Sequence, residues 1–367
     1  MKTNETLEKH IRQLVEIEPS SSRVISCFVQ LEHPRADFEP ELEAQFQKLR
    51  ATMDQEERQR LGVAFEQVLA YLRERQGRKT RGACVHLRLG DDPFFLPMEF
   101  EVPLETLLII DELPHIYPLI ALKDTYHRFV TVITNEKEAR IFETTFGAVS
   151  EEVLTERKDL RERIGREWTR EHYQNHKHER EQQMIREKIG VIDELMRRRG
   201  HNHLVIAGSP AMVGRMTNAL PQRLKDKLIS TLATNPKSGV NSILLEAVQL
   251  FIEAENAESH DHVRKLRREI HTSGLGVSGY EESLAALEGG YADMLLIDSE
   301  AVGMAQREIL TRFAAGRGVG VETVGGSELL QQLGGVGCLL RYRPGWIPAG
   351  RGQRHRQDRE SKSLAPA

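Results

Sequence analysis

The sequence predicts a multidomain α/β protein, with a small N-terminal α/β domain, a helix-covered middle sheet and a C-terminal α/β/α layer domain. Three observations predict it. The chain has 367 residues, which at roughly 100–200 residues per domain gives two or three domains. Apolar runs of strand length alternate with helical stripes along most of its length. No run of about 18 apolar residues occurs, so nothing is expected to span a bilayer. An apolar fraction of 39% and a charged fraction of 29% suit a folded globular chain.

The first domain is assigned to residues 1–115. Leu7, Ile11, Leu14 and Val15 form a short helical stripe in a charged N-terminal stretch that lacks a signal peptide's apolar centre. RVISCFVQL reads as a strand from its Val, Ile and Phe content. Helical patterns follow near 38–51 and 55–76, the second carrying Leu61, Phe65, Val68, Leu69 and Leu72. ACVHLRL, FFLPMEFEV and ETLLIID read as further strands, with Pro93, Pro97 and Pro103 confining them to edges or ends.

The middle domain is assigned to residues 116–238. YPLIALKD, HRFVTVIT and ARIFETTF read as three closely spaced strands, the first two as a hairpin. A long helix is expected from about 157 to 199, well patterned at Ile185, Ile189, Ile192 and Met196 and almost wholly polar from Thr169 to Gln183. HLVIAGS is the next strand, ending in a Gly208-Ser209-Pro210 loop and a helical pattern through Leu220 and Leu224. This order predicts a sheet covered by helices, as in the ribonuclease H-like fold.

The third domain is assigned to residues 239–345. SILLEAVQLFIEAENAESHDHVRKLRREI reads as one helix or two joined helices. A glycine turn, the helix YEESLAALEGG, the strand DMLLID, the helix AVGMAQREILTRFAA, the strand GVGVETV, the helix SELLQQLGG and the strand VGCLLRYR follow. Residues 346–367 read as a basic, disordered tail from their Gly, Pro and charge content.

Composition narrows the chemistry. Cys27, Cys84 and Cys338 form no C-x-x-C pair, so buried thiols are expected rather than disulfides or a zinc site. Gly274, Gly276 and Gly279 spell G-x-G-x-x-G, but a charged helix precedes them where a dinucleotide site needs a strand. They are expected to end a helix instead. GRGVG lacks the Gly-Lys-Ser/Thr of a phosphate loop. His172 and His176 lie four apart, a spacing that shares a helix face, yet no third metal ligand stands in register. No cofactor, metal or catalytic set is therefore assigned. The formal net charge is -4, but from Arg341 onward there are 7 basic and 2 acidic residues. A local basic patch of this kind meets phosphate even in an acidic chain. Arg166, Arg170, His172, His176, Lys177 and Arg180 of the long helix, with Arg341 and Arg343, are the candidate RNA contacts.

VSGYEESLAALEGGYADMLLID and VETVGGSELLQQLGGVGCLLRYRPG resemble the C-terminal domain of archaeal and eukaryotic class-1 peptide-chain release factors. The EAVQLFIEAENAES helix and the order of domains resemble that superfamily too, and the chain is identified as a bacterial relative of it. The resemblance implies an L7Ae-like third domain and a protein that works on the ribosome or tRNA in the cytoplasm. Release factors of this kind hydrolyse peptidyl-tRNA through a Gly-Gly-Gln loop ahead of the long helix. Here the corresponding stretch is TTFGAVSEEVLTERKDLRERIGREW, which contains no glutamine. The resulting expectation is a non-catalytic protein binding the ribosome, tRNA or rRNA in rescue, quality control or dormancy. A peptidyl-tRNA hydrolase or nuclease, and an adaptor gripping a protein partner, are the alternatives.

Overall fold

The computed structural model describes residues 3–31, 38–75, 80–126, 128–136, 138–145, 148–156, 170–234 and 239–346. The fold is a multidomain α/β one built on three sheets. The chain divides into two compact units, Met1–Thr125 with Asn256–Ala367, and Tyr126–Glu255.

The N-terminal part holds α1 (Thr3–Val15), β1 (Val24–Gln30), α2 (Phe38–Arg50), α3 (Gln55–Arg73), β2 (Gly82–Arg88), β3 (Phe94–Phe100) and β4 (Leu107–Asp111). Its strands form an antiparallel sheet in the order β3-β2-β1-β4. The two-residue period of a strand puts Ile25, Cys27 and Val29 on one face with Val85, Leu87 and Leu108. α2 and α3 cover that face with Leu42, Phe46, Phe65, Val68 and Leu72. Phe46 and Phe65 stack at 4.2 Å. Asp54 caps α3 by accepting the Glu57 N–H at 2.8 Å, a bond worth about 1 kcal/mol. Pro97 lies in β3, an edge strand, where its missing donor is tolerated. On the other face His86 is buried and donates its Nε2–H to the His115 carbonyl at 2.8 Å. Burial pushes the His86 imidazole down to about 4.

The stretch YPLIALKD is not a strand. It forms α4 (Tyr117–Thr125), so the predicted hairpin is absent. Ile116, Leu119, Ile120 and Leu122 are buried at helical spacing, and Pro118 sits in the first turn, where a proline is tolerated. The decisive contact is distant in sequence. The Glu308 carboxylate accepts the Ile116 and Tyr117 N–H groups, each at 2.9 Å, and so caps the helix from 191 residues away. Asp124 accordingly lies in a helical turn rather than at a strand end, and accepts the Thr323 N–H at 2.6 Å and Oγ1–H at 2.5 Å.

The second unit holds β5 (Phe129–Thr134), β6 (Glu138–Thr145), β7 (Ala148–Glu156), α5 (Arg170–Arg199), β8 (His203–Gly208), α6 (Pro210–Ala219), α7 (Gln222–Lys225) and β9 (Leu228–Ala233). The sheet runs β7-β6-β5-β8-β9, antiparallel on the β6 side of β5 and parallel on its β8 side. β7 and β9 are strands beyond those predicted. α5 and α6 pack on Val130, Val132, Ile141, Leu204 and Ile206. The opposite face, with Phe129, Val205 and Ala207, is covered by Ile243, Ala247 and Phe251 of α8 (Val240–His271). The first part of the predicted long helix, 157–169, lies outside the described residues.

Gly208 shows why this sheet closes tightly. A Cβ there would overlap the Thr134 carbonyl oxygen, a backbone atom of the adjacent parallel strand. Gly208→Ala is expected to destabilise the unit by roughly 1–3 kcal/mol through this overlap. A urea midpoint equal to that of the parent would contradict the packing described.

The C-terminal part adds β10 (Gly276–Ser278), α9 (Tyr280–Glu288), β11 (Ala292–Asp298), α10 (Met304–Gly316), β12 (Gly320–Val324), α11 (Glu328–Gln332) and β13 (Val336–Leu340). Its mixed sheet runs β10-β13-β11-β12, with β12 parallel to β11. Leu295, Ile297 and Cys338 face α9 and α10, whereas Leu296 and Leu339 face Val263 and Leu266 of α8. Of the G-x-G-x-x-G glycines, Gly274 ends a helix, as expected, whereas Gly276 opens β10. The Gly274 N–H donates to the Glu269 carbonyl at 2.6 Å just beyond α8, and Gly279 starts α9 with φ 88°. Asp298, fully buried, ties the end of β11 down by accepting the N–H groups of Glu300, Ala301 and Ser327 at 2.8, 3.0 and 2.9 Å. All three cysteines are free and buried. Residues 347–367, most of the predicted tail, lie outside the described residues.

Candidate nucleic-acid interface

α5 carries five of the eight candidate RNA contacts, Arg170, His172, His176, Lys177 and Arg180. Arg166 lies outside the described residues, as do the side chains of those five. Their positions on the helix separate them only in part from its packed side. At 3.6 residues per turn, positions 170, 172, 176, 177 and 180 fall within an arc of about 160°. The buried residues Ile185, Ile189, Ile192 and Met196 lie on an arc centred on the other side, whereas the buried Lys188 and Leu195 share the azimuths of positions 170 and 177. His172 and His176 are one turn apart within the candidate arc.

The C-terminal half of α5 is rich in arginine, but its charges are answered locally. Arg197 and Arg198 pair with Glu194 and Arg199 with Glu143, and acids of α5 itself, Asp193 and Glu181, are paired by Arg223 of α7 and Arg215 of α6. Lys188 is buried and donates to Thr134 Oγ1, the Asn135 carbonyl and the Glu138 carbonyl at 3.1, 2.8 and 3.1 Å. It clamps the β5–β6 turn onto the helix, and burial brings its ammonium down to about 8. No sequence motif marks Lys188, because its partners are a hydroxyl and two carbonyls.

Beyond α5, Glu143 is buried on β6 with His201 Nε2 2.9 Å away and Arg199 paired to its second oxygen. Burial alone would raise this carboxyl. The hydrogen bonds and charges of His201 and Arg199 outweigh it and hold Glu143 down to about 2. A carboxylate depressed in the folded state adds stability above its unfolded value of about 4.3, and that stability is lost as pH falls toward 2. Glu143→Gln is expected to lower stability at neutral pH by about 3 kcal/mol. It should also flatten the acid limb between about pH 4 and 2, read by acid titration of circular dichroism. An unchanged acid limb would contradict the assignment.

Arg341 and Arg343 follow β13 on the surface of the other unit. Arg341 Nε donates to Asp293 at 3.2 Å, and Arg343 donates to the Ser273 carbonyl at the end of α8. Both therefore hold turns, Arg341 while exposed and Arg343 while half-buried. β5 and β8, the two central strands of the middle sheet, carry no carboxylate. Asp124 belongs to the other unit.

The second unit thus holds a long helix, with the candidate basic positions in its N-terminal half, together with a half-antiparallel, half-parallel sheet, and one comparison falls on that region. Residues 114–251 match bacterial archaeo-eukaryotic release factor family 10. The release-factor family match covers α4, the second unit up to Phe251 and the candidate arc, and it bears out the resemblance to the release factor superfamily. No curated protein matches the chain. Among solved structures, Pelota of Archaeoglobus fulgidus is similar at 15% identity, with 94% of this chain and 93% of that one covered and a TM-score of 0.38. Dom34 of S. cerevisiae, a translation termination-like factor, is similar at 12% identity, with 73% and 82% covered and a TM-score of 0.45. The archaeal translation termination factor aRF1 is similar at 15% identity, with 92% and 98% covered and a TM-score of 0.27. Among the described residues no helix is long and apolar enough to cross a membrane.

Proposed function

We propose that the protein is a release-factor-like factor that binds the ribosome or tRNA without catalysing peptide release, and serves rescue, quality control or dormancy in the cytoplasm. The observation that carries this reading is the release-factor family match across residues 114–251. Its physical support is the run of basic residues along the N-terminal half of α5, a charge pattern suited to phosphate. In this reading Arg166, Arg170, His172, His176, Lys177 and Arg180 meet RNA phosphate, and Arg341 and Arg343 form a second contact. The reading also takes residues 1–115, 116–238 and 239–345 as three domains, the middle one ribonuclease H-like and the last L7Ae-like. The mixed sheet order of the middle unit supports the first assignment and the α/β/α layering supports the second.

The test is sedimentation of the purified protein with ribosomes through sucrose gradients, using idle, stalled and stationary-phase particles. The protein should travel with ribosomes at low salt and leave them as salt rises, because phosphate contacts release counterions. Absence from the ribosomal fractions under all of these conditions would contradict the proposal.

A further inference from the structure

Two large aromatic side chains stand in solvent where β13 ends. Tyr342 is 55% exposed and Trp346, four residues on, is 47% exposed. Two exposed aromatics within five residues offer apolar faces that a stacking ligand could cover. Tyr342 is also held in place. Its ring packs edge-on against Tyr291 at 5.4 Å, and its hydroxyl donates to the Gly290 carbonyl at 3.2 Å. The ring is thus fixed by one edge and by its hydroxyl, so little rotamer freedom remains to be lost when something stacks on it.

Arg341 and Arg343 flank Tyr342 in sequence, and Arg317 bonds near the carbonyl that holds it. Arg341 is bonded to Asp293, near Tyr291 in sequence. Arg343 reaches the Ser273 carbonyl at the end of α8. Arg317 donates to the Glu288 carbonyl at 2.6 Å, two residues from the Gly290 that holds Tyr342. The chain from Arg341 onward has 7 basic and 2 acidic residues, so positive charge continues past Trp346. Aromatic faces framed by arginine and followed by a basic segment match what an unpaired polynucleotide offers. Its bases stack on rings whatever their sequence, and its phosphates meet the cations.

We propose that Tyr342 and Trp346 form a stacking platform for single-stranded RNA, with Arg317 and Arg343 as its phosphate contacts. The platform rests on the RNA-directed reading above and extends it by naming the ligand class at a second surface, and it is testable without ribosomes. In a Trp168→Phe background Trp346 is the sole tryptophan and reports directly. Titration of the full chain with single-stranded oligouridine should quench its fluorescence saturably, and the same sequence in a duplex should quench far less. Tyr342→Ala should weaken binding by about tenfold or more, whereas Tyr342→Phe, which keeps the ring, should bind within about twofold of the parent. Added salt should weaken binding with a log–log slope of roughly −0.7 per phosphate contact. Absence of quenching, equal binding of duplex, or Tyr342→Ala binding like the parent with unchanged circular dichroism would each overturn the proposal. Ribosome sedimentation of the parent without oligouridine binding would remove the platform and leave the ribosome reading standing. Oligouridine binding without ribosome sedimentation would do the reverse.

Discussion

Glu308→Ala should destabilise the protein by about 3–5 kcal/mol, the cost of opening a buried ion pair from one side. The Glu308 side chain is nearly buried and answers three donors at once. It takes the Ile116 and Tyr117 N–H groups at 2.9 Å and Arg312 Nη2 at 3.2 Å. His115 Nδ1 lies 3.6 Å from the same carboxylate. Arg312 in turn donates to the Leu14 and Pro114 carbonyls. Removal of the carboxylate leaves two helix-end donors and a guanidinium without their acceptor, so α1, α4 and α10 lose a shared anchor. The thermal midpoint should fall by roughly 6–20 °C for a unit of this size. Glu308→Gln keeps one acceptor oxygen and should recover part of the loss. Glu308→Ala combined with Arg312→Ala should cost less than the sum of the two, because the stranded cation is gone as well. A single-variant cost below about 1 kcal/mol would show that the hub does not hold these elements together.

The second large effect concerns binding. Charge reversal of Arg170, Lys177 and Arg180 to glutamate should lower ribosome affinity by roughly tenfold or more. It should also reduce the salt slope by about 0.7–0.9 for each phosphate that the helix no longer neutralises. The three positions precede Ile185, where the described buried residues of α5 begin, so the far-ultraviolet circular dichroism and the urea midpoint should stay near those of the parent. Unchanged affinity would remove this helix from the interface. A matched variant at Arg197 and Arg198 should have a much smaller effect, since Glu194 already answers those charges.

Elements whose information is local were legible in the sequence. The strand periods of VISCFVQ and GACVHLR, the stripe through Leu61, Phe65, Val68 and Leu72, and the glycine turn after α8 each follow from neighbouring residues. α4 was not legible, because Tyr117–Thr125 is apolar enough for a strand and its cap comes from Glu308. β9 was hidden for a related reason. LISTLA is short and only partly buried, and becomes a strand by pairing in parallel with β8. For the interface, the charge pattern alone placed the basic residues of α5 together. It could not separate the arginines answered by local acids, such as Arg197 and Arg223, from those on the outer arc. The exposure of Tyr342 was likewise invisible, since an aromatic residue beside a buried strand ordinarily joins its core.

The central claim is that this scaffold seats on the ribosome. Electron cryo-microscopy of ribosomes mixed with the purified protein, with and without tRNA, tests it most directly. Density for the protein is expected in the A site, with α5 directed at RNA and occupancy falling as salt rises. Ribosomes that stay empty across salt and tRNA conditions would contradict it.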